Sequence, residues 1–345
     1  MLSIAYLCGT KGYRPFYPDD PTVPGSETAV IQLTNQWAAL GHNVSVFALT
    51  KPAIHNNVKW IESANFNHTI QYDVIILWRQ AGFNMYNENP NLKTKLLVMD
   101  FHDGGFDTET FCKNPLHKNI DKLFVKSKFQ RSLFKHITDD SKFVIIPNGI
   151  RLDIFESIPL VKREPHRFSF TSQYDRGLEP FLKYAWPYIL NTWPDATLHV
   201  YYGFFGKKDA LDRIKLLLNQ KGVYEHGKVD LKTIALEKFR STFHIYLCSV
   251  PEIDCIAVRE SLVAGCIPIL SNNYVFKERD GIKIDGDPTE IQTQIAAASS
   301  ALSMSYSQVA LMQREGLKSP TIVGWPQVST MWINQFRTAD YKGAQ

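Results

Sequence analysis

The run from Phe243 to Leu270, FHIYLCSVPEIDCIAVRESLVAGCIPIL, constrains the chain more than any other. Its opening FHIYLCSV is rich in β-branched and aromatic residues, which predicts a buried strand ending near Ser249. Asp254 reads as a helix N-cap, leaving the amides of Cys255, Ile256 and Ala257 unpaired. A helix start of this kind gathers roughly half a positive charge and suits an anion such as a diphosphate. Counted from Cys255, Glu260 lies in the second turn, on the side of the strand ends, where it could accept from a ribose diol. Glu252 lies on the loop before the helix and could take a sugar hydroxyl. The plainer reading makes Glu252 a solvated loop acid and Glu260 an exposed helix acid. Gly265 closes the helix, and Ile267-Pro268-Ile269-Leu270 begins another buried strand.

At 345 residues the chain is long for one core and suits two domains. Hydrophobic content of 44% and charged content of 21% are those of a soluble globular protein, and a net charge of +4 falls short of a nucleic-acid footprint. Cys8, Cys112, Cys248, Cys255 and Cys266 are scattered, odd in number and mostly within apolar runs, which predicts reduced thiols in a cytoplasmic setting. No Cys/His cluster has zinc spacing, and no run reaches membrane-spanning length. MLSIAYLCGT is short, lacks a basic flank and reads as a first strand rather than a signal peptide.

From the start, an apolar strand at 2–8 leads into a long loop, FYPDDPTVPGSE, of the kind that often carries function. Gly25-Ser26-Glu27 then opens a helix that ends at Gly41, and 43–49 is the next strand, completing a βαβ unit. Glu27 has a plain role as a first-turn acid. Strands at 72–78 and 95–100 follow, and the second delivers Phe101-His102-Asp103-Gly104-Gly105 at its end, where ligands of open α/β sheets sit. The segment 122–137 reads as a strand and then a helix, with Lys122, Lys126, Lys128, Arg131 and Lys135 among Phe129, Leu133, Phe134 and Ile137. That basic face is either solvated or a peripheral-membrane contact. FVIIPNGI closes the first domain, and RLDIFESIPLVKREPHR is the expected linker. RFSFTS starts the second domain; Tyr174-Asp175-Arg176-Gly177-Leu178-Glu179 leads into a helix, and Asp195 to Gly203 forms a strand. Helical patterns fill most of 289–316, and WPQVSTMWINQF at 325–336 is aromatic at helical spacing.

Taken in order, the Gly25-Ser26-Glu27 opening, which resembles Gly-Gly-x-Glu, with His102-Asp103, Ile-Pro-Asn-Gly, Arg176-Gly-Leu-Glu and Glu252-x7-Glu260 followed by Gly-x-Pro, resembles retaining glycosyltransferases of family 4, in the branch with Arg-Gly-Leu-Glu in the second domain. The resemblance implies an α/β, GT-B architecture: two Rossmann-like domains facing each other across a cleft, with a C-terminal helix crossing back to the first. The implied boundaries are 1–155 for the acceptor-side domain, 156–324 for the nucleotide-sugar-binding domain and 325–345 for the returning helix. It implies transfer of a sugar from a nucleotide-diphosphate sugar to a hydroxyl of a glycan or glycoconjugate, with no metal and no cofactor beyond the donor. His102 and Glu252 would be catalytic. Gly25, Ser26, Arg176, Asp254, Cys255, Ile256, Ala257, Glu260 and Val229 would hold the donor, the last in a loop, 222–229, that packs on the base. Tyr17, Asp19, Asp20 and Asp103 would face the acceptor.

This chain departs from the family at three positions. Ser26 replaces a glycine, Cys255 stands where glycine is common, and Thr171 or Ser172 occupies the place of a clamp arginine, leaving Arg176 as one cation where two are usual. Arg176 alone could still bind phosphate bidentately, or it could merely pair with Asp175 or Glu179. The alternatives are a non-catalytic nucleotide-sugar or glycan-binding protein, or an epimerase or phosphorylase on the same fold.

Overall fold

The computed structural model describes residues 1–9, 15–20, 23–104, 108–203 and 208–338. The chain divides into two compact units, Met1–Gly149 with Val323–Gln345, and Ile150–Ile322.

In the first unit the strands are β1 (Ser3–Leu7), β2 (Asn43–Ala48), β3 (Ala53–His55), β4 (Val58–Glu62), β5 (Tyr72–Trp78), β6 (Thr94–Asp100), β7 (Lys122–Val125) and β8 (Phe143–Ile145). They form one sheet in the order β3-β4-β2-β1-β5-β6-β7-β8. Neighbours run parallel except for the β3–β4 hairpin, whose turn residues Asn56 and Asn57 take φ of 49° and 63°, a left-handed pair that suits asparagine. The central strands are apolar along their length because helices cover both faces.

One cover is the helix Gly25–Ala39, which turns Ala29, Val30, Leu33 and Trp37 inward. Another is the final helix, Trp325–Thr338, whose Trp332 and Phe336 rings each lie 5.7 Å from that of Trp37. Trp332 also stacks on Phe124 of β7 at 3.9 Å. Burying an aromatic of this size is worth about 2–3 kcal/mol, so the helix is held to the first unit by its rings.

The second unit has β9 (Glu164–Gln173), β10 (Thr197–Gly203), β11 (Val223–Gly227), β12 (Ser241–Tyr246), β13 (Ile267–Ser271) and β14 (Ile282–Ile284), all parallel, in the order β11-β10-β9-β12-β13-β14. Each sheet therefore has a point where the strand order reverses, between β1 and β5 in the first and between β9 and β12 in the second. Ligands of doubly wound sheets bind beyond the carboxyl ends of the strands at such points. At the second, the turn after β9 ends in Gly177, with φ of 106°. A Cβ there would fall 2.0 Å from the carbonyl oxygen of Leu247, just past β12. Only glycine lets the two strand ends approach this closely.

The segment 122–137 differs from its sequence reading. After β7 the helix covers only Lys128–Ser132, capped by Ser127, whose Oγ accepts from Gln130 N at 3.0 Å. Phe134 and Ile137 are buried from the turns that follow. The expected basic face is also broken up. Lys126 is buried, Arg131 bonds Asp140 and lies 3.8 Å over the Phe143 ring, and Lys122 donates to the Ser141 carbonyl. Among the described residues no helix is long and apolar enough to cross a membrane.

Candidate functional site

In the second unit the end of β9 carries Arg176 and the end of β12 leads to Glu252, so the two residues meet at the reversal point. Arg176 Nη1 lies 3.4 Å from Glu252 Oε1 and its Nε 3.8 Å from Asp175. Of the two partners expected for Arg176, Asp175 is reached at 3.8 Å while Glu179 pairs with Arg213 at 3.0 Å; the nearer Glu252 was not anticipated. Tyr246, the last residue of β12, donates its hydroxyl to Glu252 Oε1 at 3.1 Å, and the hydroxyls of Tyr246 and Ser172 are 3.0 Å apart. Burial raises the Glu252 pKa, with Arg176 and Tyr246 pulling against it. Burial also opposes the charge on Arg176, but Glu252, Tyr246, Cys248 and Asp175 together outweigh it and hold the guanidinium pKa above its ordinary value. Both groups remain partly exposed, so a ligand can compete for either.

The helix beyond Glu252 spans Ile256–Val263, and its N-cap is Cys255, not Asp254. Cys255 makes no side-chain cap and takes φ of 54°, a left-handed conformation that explains why a glycine belongs at this position. The amides of Ile256 and Ala257 begin the helix, so Cys255 is better described as its entry than as part of it. Asp254 is drawn inward instead: its carboxylate accepts from Arg259 Nη2 at 2.8 Å and Arg279 Nη2 at 3.0 Å, and its carbonyl accepts from Arg279 Nε. Two buried guanidiniums outcompete one amide for a carboxylate, because an unpaired buried charge is the costlier loss.

Glu260 is buried rather than solvated, with Oε2 3.0 Å from the fully buried Lys238 Nζ, which also donates to the Ala257 carbonyl. Val229 is partly buried on the loop after β11, just before Asp230, which caps the next helix by accepting from Thr233 N at 2.7 Å. Thr171, at the other candidate position for the absent clamp arginine, bonds the buried His244 ring at 3.2 Å.

The first unit gathers a second group of candidates. Gly25 opens its helix after Pro24 without a side-chain cap, and Ser26 Oγ donates to Glu27 Oε2 at 2.6 Å. Arg79, with φ of 54° directly after β5, lies 5.0 Å over the Trp78 ring, reaches Ser26 Oγ at 3.4 Å and binds Asp103 through Nε and Nη2 at 2.6 and 2.5 Å. Asp103 is thus a paired carboxylate.

His102 Nε2 lies 2.8 Å from Asp100 Oδ2, and its ring is almost fully buried. Asp100 also accepts from Lys126 Nζ and the Tyr6 hydroxyl. Tyr17, Asp19 and Asp20 form a turn in which Asp20 N donates to the Tyr17 carbonyl. Beneath it Phe16 packs at 5.8 Å on Trp60 and 5.9 Å on Trp78. Gly105 falls outside the described residues.

Sequence reasoning did not single out Tyr246, Lys238, Arg79, Asp100 or Tyr6. Asp100 and Lys126 did carry a signal: each is a charged residue directly after an apolar run, Leu96–Met99 and Leu123–Val125, and the two strands are neighbours, with Asp100 in register with Phe124.

Two mostly parallel, Rossmann-like units with the last helix returned to the first define the GT-B fold. No family model matches the sequence, and no curated protein matches it. Solved structures do match over nearly the full length. Sucrose-phosphate synthase from Thermosynechococcus elongatus superposes with a TM-score of 0.72 at 14% identity, covering 98% of each chain. HepE from Anabaena, in complex with UDP-glucose, gives 0.71 at 11% identity over 98% of this chain and 100% of that one. A glycosyltransferase from Rickettsia africae gives 0.68 at 14% identity, over 97% and 98%. Likeness at such identities carries the fold; function has to be argued from the site.

Proposed function

We propose that the protein is a glycosyltransferase that moves a sugar from a nucleotide-diphosphate sugar to an acceptor hydroxyl, with retention of configuration. The observation that carries this reading is the meeting of Arg176 and Glu252 at the reversal point of the second sheet, beside the uncapped start of the helix Ile256–Val263. The diphosphate lies on the helix amides and takes Arg176 from Glu252. Freed of its cation, Glu252 keeps the Tyr246 hydrogen bond and turns its other oxygen to a sugar hydroxyl. Glu260 accepts from the ribose, its carboxylate fixed by Lys238. The bond to the sugar breaks as negative charge builds on the leaving phosphate, where preorganised donors contribute most.

Retention, the role of His102 toward the sugar and an acceptor side built from Tyr17, Asp19 and Asp20 are what the resemblance to family 4 implies. Uridine is the first base to test, because the HepE structure holds UDP-glucose. A binding-only reading draws on a single clamp cation, with Ser172 and Thr171 where a second would stand, and on the engagement of that cation by Glu252.

Incubation with UDP-, GDP- and ADP-sugars in the presence of hydroxyl acceptors, reading nucleoside diphosphate release and the anomeric configuration of the product, separates the two. One donor class should turn over with retention, and Glu252→Gln should slow it by about a hundredfold or more. Binding of a nucleotide sugar without turnover would leave the binding-only reading standing.

A further inference from the structure

The group around His102 is closed in a way that its sequence motif does not suggest. The Asp100 carboxylate lies at the end of β6 and is fully buried. Its Oδ1 accepts from Lys126 Nζ, while Oδ2 accepts from the Tyr6 hydroxyl and faces His102 Nε2 at 2.8 Å. The Lys126 ammonium is equally sealed, 5.2 Å over the face of Trp332. Its backbone is clipped by Gln130, whose Oε1 accepts from Lys126 N at 2.7 Å and whose Nε2 donates to the Asp103 carbonyl at 3.3 Å. The loops after β6 and β7 are therefore tied together around one carboxylate and one ammonium.

We propose that Lys126 is a positioning residue that, with Asp100, holds His102 neutral and in its Nε2–H form, so that Nδ1 presents only a lone pair to substrate. The charge count requires it. Asp100 and Lys126 balance, and a proton added to the ring would set a second positive charge beside the buried Lys126 ammonium with only one carboxylate to serve both. An ionised carboxylate only accepts, so the nitrogen facing it carries the hydrogen. Nδ1 has no partner among the described residues and is left to accept from a hydroxyl.

The other charged or titratable groups around the ring agree with this state. Arg79, paired with Asp103, adds positive potential, and Tyr6 and Cys8 stay neutral in their buried positions. Burial lowers the His102 pKa, Asp100 raises it and Lys126 lowers it again, leaving it below the ordinary value. Burial pushes the Asp100 carboxyl up, but the Lys126 ammonium and the hydrogen bonds from Lys126 and His102 hold it well below the usual carboxylate range.

This inference rests on the proposed contact between His102 and a sugar hydroxyl, and its test separates the two. Imidazole 15N resonances of the full chain, with His102 assigned by its loss in His102→Gln, should show a neutral ring protonated at Nε2 from about pH 6 to pH 8. In Lys126→Met the isolated Asp100 carboxylate should draw a proton onto the ring, raising its midpoint by about one pH unit or more. The kcat/KM of that variant should fall as pH drops, by about fivefold or more between pH 8 and pH 6, where the parent is flat on this account. A wild-type ring protonated at Nδ1 or doubly protonated at neutral pH overturns the inference, even if Lys126→Met fails to fold. So does a Lys126→Met ring that stays neutral with an unshifted pH profile. A correct tautomer with no sugar transfer by the wild type would instead overturn the glycosyltransferase reading.

Discussion

The two clusters of charge at the strand ends answer different demands. Around Asp100 every acceptor is used: ammonium, imidazole and phenol converge on one buried carboxylate, and water is excluded. Around Glu252 the arrangement is looser, with Arg176 at 3.4 Å and partly exposed, and Tyr246 as the second donor. A sealed cluster fixes one protonation state and one geometry, whereas a half-exposed ion pair contributes little to stability and can be exchanged for a ligand's charge. The first suits a group that must be ready before substrate arrives, and the second suits a group that substrate itself rearranges.

Breaking the sealed cluster should have the largest effect. Asp100→Asn leaves the Lys126 ammonium buried without its counter-charge and should cost about 3–5 kcal/mol in denaturant unfolding, whereas Glu252→Gln should change stability by less than about 1 kcal/mol. Equal losses would erase the distinction. Gly177→Ala comes next. Its methyl would collide with the Leu247 carbonyl in a left-handed backbone, so roughly 2–4 kcal/mol should be lost, and the Arg176–Glu252 approach should be loosened, read as weakened nucleotide stabilisation.

A third effect is pH-dependent. His199 is buried between Arg167 and His226, at 3.1 and 2.9 Å. Burial and those neighbours lower its pKa to about 4, against the pull of Glu237. Because the unfolded ring takes up its proton first, stability should be full above about pH 6.5 and decline as pH falls toward 4. Partial solvation of this site limits the loss to the order of 1–2 kcal/mol. His199→Gln should flatten that part of the stability curve. Cys255→Gly should have the smallest effect, within about 1 kcal/mol either way, because relief of the positive φ offsets the lost burial of the thiol. A large loss would mean that the Cys255 side chain does more than fill space.

The parallel strands were legible because strands buried on both faces read as unbroken apolar runs: 72–78 falls on β5, and 43–49 and 95–100 lie within a residue of β2 and β6. The helix Gly25–Ala39 and the aromatic final helix were legible from their spacing. What escaped depends on partners distant in sequence. Asp254 has the look of a cap, but Arg279, far along the chain, helps to draw it inward. The run 128–137 has helical spacing, yet its Phe134 and Ile137 reach the core from turns after a short capped helix. Lys126 was read as one of a basic set because its place at the end of an apolar run does not by itself say that Asp100, on the neighbouring strand, closes around it. The β3–β4 hairpin went unread, although Asn56-Asn57 carried its turn chemistry.

The proposal that a donor diphosphate lies at the β9–β12 reversal point is tested most directly by calorimetric titration of UDP, GDP and ADP into the wild type and Arg176→Met. One nucleotide should bind the wild type and lose about tenfold or more in affinity, ~1.4 kcal/mol, when the guanidinium is removed. Equal affinity in the two proteins, or binding of none of the three, would contradict it.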